Sequence, residues 1–538
     1  ETGLQATIDA SWDGSVEEKT IEGAFQATAS MDADATLEIK VVSGEGLQPG
    51  FSIDLSGATG RWHPDRWSVA VPELIIDSAE LFAFFGEPDA KLERLLTGNR
   101  PRARLSGVWL GQTGDHPLTG HAEVHDLSVV AAGGVPSIGP VRGRVFIEGV
   151  RGLIEFQGEN AEFSLPDIFP SPWLDQTIEG TLAFVRDESG LFLRGHDLWV
   201  QDGAQSVRGD LLLDLPRETE QSLHLELIAD ASRPALEGLL PIDLDPEVRD
   251  FLVKGIEDVE VVGGRISYSG PLGDGIDRTR RELVLDFPMS RYRLKPLSDW
   301  PAFVGDTGHV TWQNRRARVR LDSADFGGLL ASGVQVKQSQ SDAAQLEIQG
   351  DLAGDAAKAL NILGDAGLRP EALATDVQLS GPLSAEVSLL APVDKGTPSG
   401  RIAMQAESLR MSVTGLKAPI EAISGEATYV LDEGLLGEAL QGRLLDQPVE
   451  IDVSTIGGAL DAELSGHLST QSVVSLAGIP LDDTWLSGEA EWRAHITGSD
   501  NGVRARIETE GRGLLSQLPA PLTKRADARG TISVEIET

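Results

Sequence analysis

The sequence contains no cysteine. Disulfides and thiolate metal sites are therefore excluded, and redox chemistry gives no reading of the compartment. No Asn-X-Ser/Thr glycan acceptor occurs. Aromatic residues make up only 5% of the chain. No apolar run approaches the roughly 18 residues of a membrane-spanning helix. Basic residues are outnumbered: Lys+Arg is 45 against 84 for Asp+Glu, a formal charge of −39. Such a surface repels nucleic acid and anionic membranes at long range, so nucleic acid is not expected as a partner. Catalytic signatures are missing too. There is no Gly-X-Ser-X-Gly elbow, P-loop, His-Glu-X-X-His or Gly-X-Gly-X-X-Gly turn leading into a helix. The sequence indicates neither an enzyme nor a cofactor.

What is present is a repeated phrase: glycine, any residue, apolar, any residue, apolar. It reads Gly143-Arg-Val145-Phe-Ile147, Gly180-Thr-Leu182-Ala-Phe184 and Gly209-Asp-Leu211-Leu-Leu213. It returns as Gly264-Arg-Ile266-Ser-Tyr268, Gly400-Arg-Ile402-Ala-Met404 and Gly425-Glu-Ala-Thr-Tyr429-Val-Leu431, and again from Gly488 and Gly530. Apolar residues two apart share one face of a strand. The glycine is expected to mark the turn or tight entry before each strand. Arg208-Gly209-Asp210 is then one wording of this strand phrase; its other reading is an adhesion motif.

The alternation runs from Leu4 almost to Thr538. Three stretches break it with helical spacing: Asp77 to Gly98, Arg233 to Gly255, and Asp355-Ala-Ala-Lys-Ala-Leu-Asn-Ile-Leu-Gly. Asp at the helix starts, Pro246 after Asp245, and Lys254-Gly255 at an end are capping signals. The expected organisation is β segments over 4–76, 99–230 and 257–538, helical insertions over 77–98 and 231–256, and a short helix near 354–364. Residues 1–3 read as a processing remnant. A chain of 538 residues exceeds the roughly 250–300 at which one core stops growing. It is expected to be several domains or an elongated sheet. Roughly 30–40 strands at about 4.8 Å each would make a ladder on the order of 150–190 Å.

Ordered motifs sharpen this reading. Leu240-Pro-Ile-Asp-Leu-Asp-Pro-Glu-Val-Arg-Asp-Phe-Leu runs into Gly263-Gly-Arg-Ile-Ser-Tyr-Ser-Gly-Pro-Leu-Gly273. Arg278 to Pro288, Tyr292 to Pro301 with Trp300, and Gly308-His-Val-Thr-Trp312 follow. Gly442-Arg-Leu-Leu-Asp-Gln-Pro448 and Ile479-Pro480 to Trp492 complete the set. In this order they resemble the large AsmA-like proteins of the YhdP type in Gram-negative envelopes, over most of Leu4–Thr538. The resemblance implies a mainly β, elongated, twisted antiparallel sheet curled into an open, taco-like groove with a hydrophobic interior and a few short helices. It implies a periplasmic protein held to the inner membrane by an N-terminal helix outside this chain. Its implied cargo is phospholipid, carried between inner and outer membranes. Its implied partners are phospholipid acyl chains, the inner membrane, and outer-membrane or periplasmic proteins.

The expected groove lining is Val145, Ile147, Leu182, Phe184, Leu211, Leu213, Ile266, Tyr268, Ile402, Met404, Tyr429 and Leu431. The alternative for the same residues is a dry core between packed sheets, as in a structural or adhesive rod. A third reading is a carbohydrate-active enzyme whose carboxylates lie apart in sequence, with some of the 10 Trp lining a sugar cleft. Trp109, Trp199, Trp312 and Trp492 sit in alternating runs, which favours core or groove packing. His121-Ala-Glu123-Val-His125 places two imidazoles and a carboxylate on one strand face. Spread along about 13 Å, they read as a solvated polar face, and no metal is expected.

Overall fold

The computed structural model describes residues 4–537 except 17–18, 33, 49–50, 77–96, 133–135, 170, 204, 233–239, 241, 243–248, 250–252, 273–277, 296–299, 314–315, 340–344, 370–376, 393–396, 414–417, 432, 457–458, 478–484 and 500–501. Most of both expected helical insertions, and residues 1–3, lie outside the described residues. The rest is mostly β, antiparallel, with few short helices. Two compact units are formed: Glu1–Asp245 with Glu260–Pro288 and Thr311–Arg315, and Pro246–Val259 with Met289–Val310 and Arg316–Thr538.

The strands are β1 (Leu4–Val16), β2 (Lys19–Met31), β3 (Leu37–Gln48), β4 (Phe51–Asp54), β5 (Thr59–His63), β6 (Arg66–Ile76), β7 (Arg102–Thr113), β8 (Thr119–Val129), β9 (Ser137–Glu148) and β10 (Arg151–Ser164). There follow β11 (Trp173–Asp187), β12 (Gly190–Asp202), β13 (Gln205–Pro216), β14 (Ser222–Ser232), β15 (Ile256–Pro271), β16 (Glu282–Leu294) and β17 (Phe303–Gln313). From β5 to β15 each strand pairs antiparallel with the next in sequence, as do β1 with β2 and β2 with β3. The exception is β3, which meets both β4 and β5; both then pair with β6. Among the described residues β1 pairs with β2 alone, so this ladder is not closed into a barrel.

The second unit carries β18 (Arg316–Phe326), β19 (Leu329–Gln338), β20 (Gln345–Asp355), β21 (Val377–Ser380), β22 (Pro382–Pro392), β23 (Ser399–Val413), β24 (Ile420–Val430), β25 (Gly434–Leu444) and β26 (Gln447–Ile456). It ends with β27 (Ala459–Ser469), β28 (Leu486–Ser499), β29 (Gly502–Thr509), β30 (Leu514–Ser516) and β31 (Ile532–Glu537). It also holds α1 (Ala356–Asp365), after β20, and α2 (Thr470–Ala477), after β27. The β25–β26 hairpin shows how turn chemistry sets register. Its loop is Leu445-Asp446, with φ of 48° and 65°. Two left-handed residues twist the turn to match the strands and hold Leu444 opposite Gln447.

The recurrent glycines are not strand entries in most cases. Gly143, Gly180, Gly209, Gly264 and Gly425 lie inside β9, β11, β13, β15 and β24. A Cβ on Gly143 would collide with the Glu155 carbonyl, and one on Gly209 with the Glu226 carbonyl. Across the sheet the row runs Gly143, Phe156, Gly180, Leu198, Gly209, Leu227, Ile266. Small and large residues alternate, and bulges beside it interrupt β10–β11, β11–β12 and β12–β13. Glycine here permits close backbone approach at a bend, which alternation alone does not reveal.

Candidate functional site

The registers let each face be followed across a sheet. In the first unit one lateral row reads Ala6, Ala29, Ile39, Gly60, Val69, Leu110, Gly120, Ile147, Gly152, Phe184, Leu193, Leu213, Leu223, Gly270. Every position on these fourteen strands is apolar or glycine. The neighbouring row on the same face reads Ala122, Val145, Ile154, Leu182, Gly195, Leu211, Leu225, Tyr268. All eight first-unit residues of the expected lining therefore share one face, Ile266 through the glycine row.

The opposite face is mixed: polar or charged at many positions, but apolar at Phe146, Leu153, Ala183 and Leu212. Its rows include Gln5, Ser30, Glu38, Arg61, Ser68 and, further on, Thr119, Glu148, Arg151. Arg61 pairs with Glu38 at 3.0 Å, and Arg104 with Asp126 at 3.5 Å. Both pairs are exposed, so each contributes at most about 1 kcal/mol; their effect is solvation of this face.

The apolar face is unevenly covered. Val145, Ile147, Leu182, Phe184, Leu193 and Leu211 are half-buried, whereas Leu213, Leu225, Ile266 and Tyr268 are buried. At the glycine row, through Phe156, begins a dry cluster that also holds Val141, Ala161 and Ile178. A side chain in a finished core loses nearly all solvent contact. The side chains of these rows on β9–β12, and Leu211 on β13, have not, and they present apolar carbon to whatever occupies that face.

The second unit repeats the pattern. One row reads Ala324, Ala331, Leu352, Ala385, Met404, Ala427, Gly437, Val453, Ala462, Ile496, Ala505, Ile536. Again no member is polar. Most of this face is dry: Leu409, Ile423, Leu440, Ile451, Leu464, Trp492 and Ile507 belong to one buried cluster. Where α1 covers the face, a cavity of about 80 Å³ remains, walled by Trp300, Phe326, Leu352, Ala385, Ile402, Met404 and the α1 residues Ala359, Ile362 and Leu363 among others.

Helix α1 is held at several points. Asp355 caps it, accepting from Ala357 N–H at 2.9 Å and from Gly381 N–H at 3.0 Å. Those bonds, Gly381 first, hold the Asp355 carboxyl below the usual carboxylate range. Lys358 Nζ donates to the Gly328 carbonyl at 3.1 Å. The Tyr429 hydroxyl donates to the Leu368 carbonyl, just past the helix, at 2.7 Å. Tyr429 thus has an anchoring contact that its strand position did not disclose. Leu431 departs from expectation: it lies in the turn after β24 and donates its N–H to Gly400 O at 3.0 Å.

Other sequence candidates are dispersed. His121 stacks on Trp109, centroids 5.5 Å apart, on the polar face. His125 Nε2 lies 2.8 Å from Ser106 Oγ. Among the described residues no three or more His, Asp or Glu converge. Trp109 is therefore not on the apolar face, whereas Trp312 and Trp492 are buried. Arg208 and Asp210 are exposed, but within β13, hydrogen-bonded on both sides, rather than on a loop. Asp210 accepts from the Asp197 N–H at 3.2 Å and sits 2.9 Å from His196 Nδ1. Burial, with Asp322 and Asp306 nearby, pushes the Tyr292 hydroxyl up to about 12. It donates to the Ser323 carbonyl as a neutral group, with no acid–base role at ordinary pH. No described helix is long and apolar enough to cross a membrane.

The fold and faces define a class: an antiparallel β protein with an acidic chain, whose two units each carry a continuous apolar row across their strands. The YhdP protein family matches residues 47–538, and the chain belongs to that family. It is a family of cell-envelope proteins related to lipid transport. No curated protein matches the chain.

Proposed function

We propose that this protein carries phospholipid between the inner and outer membranes of a Gram-negative envelope, with acyl chains on its apolar face and headgroups towards water. It acts from the periplasm, tethered to the inner membrane, without catalysis or cofactor, and hands lipid to the membranes or to envelope partner proteins. The observation that carries this reading is the uninterrupted apolar row, half-buried from β9 to β12. Thirteen inter-strand steps at about 4.8 Å make a path of roughly 60 Å with no polar position. An exposed methylene costs about 0.8 kcal/mol, so a 16-carbon tail needs roughly 12 kcal/mol of shelter. A continuous carbon floor supplies it without specific contacts, so a lipid can move along it. Family membership supports the lipid reading in its coarser form.

The test is native mass spectrometry with lipid extraction on protein purified without detergent. Phospholipid should co-purify, and should fall several-fold in Val145→Asp and Leu211→Asp, both half-buried and so compatible with folding. Lipid-free wild-type protein that also fails to take up added phospholipid overturns the proposal.

A further inference from the structure

The cavity beneath α1 has a composition that selects its occupant. Its one charged wall residue, Asp355, already has its two carboxylate oxygens engaged by the Ala357 and Gly381 N–H groups. The rest of the wall is essentially carbon. A polar ligand would lose its hydrogen bonds to water and gain none there. Water itself needs two to four polar partners to stay in such a site.

Size narrows the choice further. A single water occupies roughly 10–15 Å³ on the same measure. The cavity's 80 Å³ therefore admits a few methylene-sized groups, not a fused ring system. Its floor is also continuous with the apolar rows. Ala385 and Met404 belong to the row that runs from Ala324 to Ile536, and Ile402 stands between Val387 and Tyr429. An aromatic wall of Trp300 and Phe326, centroids 6.0 Å apart, borders it. A flexible chain lying on that row meets this space under α1.

Resting on the transport reading, we propose that the cavity under α1 is a discrete acyl-chain subsite, where the methylenes of one tail are held between Met404 and the Ile362–Leu363 side of the helix. A tail crossing β9–β12 lies on a half-open face. A tail here has the sheet on one side and α1 on the other, so lipid pauses at this station.

The probe is palmitic acid carrying a diazirine, photolysed with the wild-type chain, with labelled peptides mapped by mass spectrometry. Label is expected on the α1 peptide and on the Met404 peptide. Ala385→Trp, which fills the cavity, should reduce α1 labelling at least tenfold while labelling around Val145 and Leu211 persists. Leu363→Ala, which enlarges the cavity, should raise it; this second variant serves if Ala385→Trp does not give the wild-type circular dichroism spectrum. Label around Val145 but none on α1 overturns the subsite and leaves the transport reading standing. No label anywhere overturns both. Unchanged α1 labelling in a folded Ala385→Trp, or in Leu363→Ala, also overturns the subsite.

Discussion

The two units carry the same alternation and the same antiparallel register, yet their apolar faces end up in different states. In the first, Val145, Ile147, Leu182 and Leu211 remain half-buried. In the second, Ile423, Leu440, Ile451 and Ile496 are no more than 7% exposed and pack into one cluster. Alternation decides which face is apolar. Whether that face is dry depends on what lies over it, and cover comes from bends and helices rather than from the strands. A face sealed by its own side chains contributes stability. A face left half-open offers the same carbon to a ligand.

The largest predicted contrast comes from placing a carboxylate on each face. Ile451→Asp, at a position 3% exposed, buries an unpaired charge or forces its protonation. It should destabilise the second unit by more than about 4 kcal/mol in a urea titration. Val145→Asp, which keeps access to water, should cost only about 1–2 kcal/mol while lowering lipid retention several-fold. Equal costs at the two sites would break the comparison, because the faces would then be equally covered.

A smaller effect tests the cover itself. Asp355→Ala removes the α1 cap and should cost about 1 kcal/mol, confined to the second unit and visible as faster amide exchange in α1. The pH dependence has a definite sign. The folded carboxyl titrates below its unfolded value, so its stabilisation is complete above about pH 4. It is lost as the pH falls through the depressed folded value. Wild-type α1 should therefore loosen in acid relative to neutral pH, and Asp355→Ala should lack that part of the change. An α1 whose exchange is unaffected by the substitution would mean that Lys358 and Tyr429 suffice to hold the cover.

Much of this was legible in the residues. Period-two alternation put Val145 with Ile147, Leu182 with Phe184, and Leu211 with Leu213, each pair on one face of its strand, because a pleated strand leaves no other choice; the registers then bring these faces together. It also put Leu212 and Asp214 on the opposite side from Leu213, and Leu212 is 40% exposed. Cover was not legible, because it depends on contacts between residues far apart in sequence. Leu213 and Leu211 are identical in pattern, yet one is 4% exposed and the other half-buried. The glycines were misplaced for a related reason. A glycine before a strand and a glycine at a bend inside one read alike, and only the approach of the Glu155 and Glu226 carbonyls separates them. The Tyr429 tether left no local signal, since its acceptor is a backbone carbonyl 61 residues away.

The smallest predicted effect lies on the polar face. Asp210 closes the Arg-Gly-Asp tripeptide, and an integrin-type receptor needs that tripeptide on a projecting loop. Here it runs along β13 with ladder partners on both sides, Leu198 and Leu227 flanking Gly209. The Asp210 carboxylate is already shared between His196 and the Asp197 N–H. Both side chains of the His196–Asp210 pair are more than half exposed. Asp210→Ala should therefore shift stability by no more than about 0.5–1 kcal/mol. It should leave lipid retention unchanged and make no difference in a cell-attachment assay. Attachment that is present in the wild type and lost in Asp210→Ala would require β13 to leave the sheet. That would place function on the polar face and reverse the assignment of the two faces on which the comparison rests.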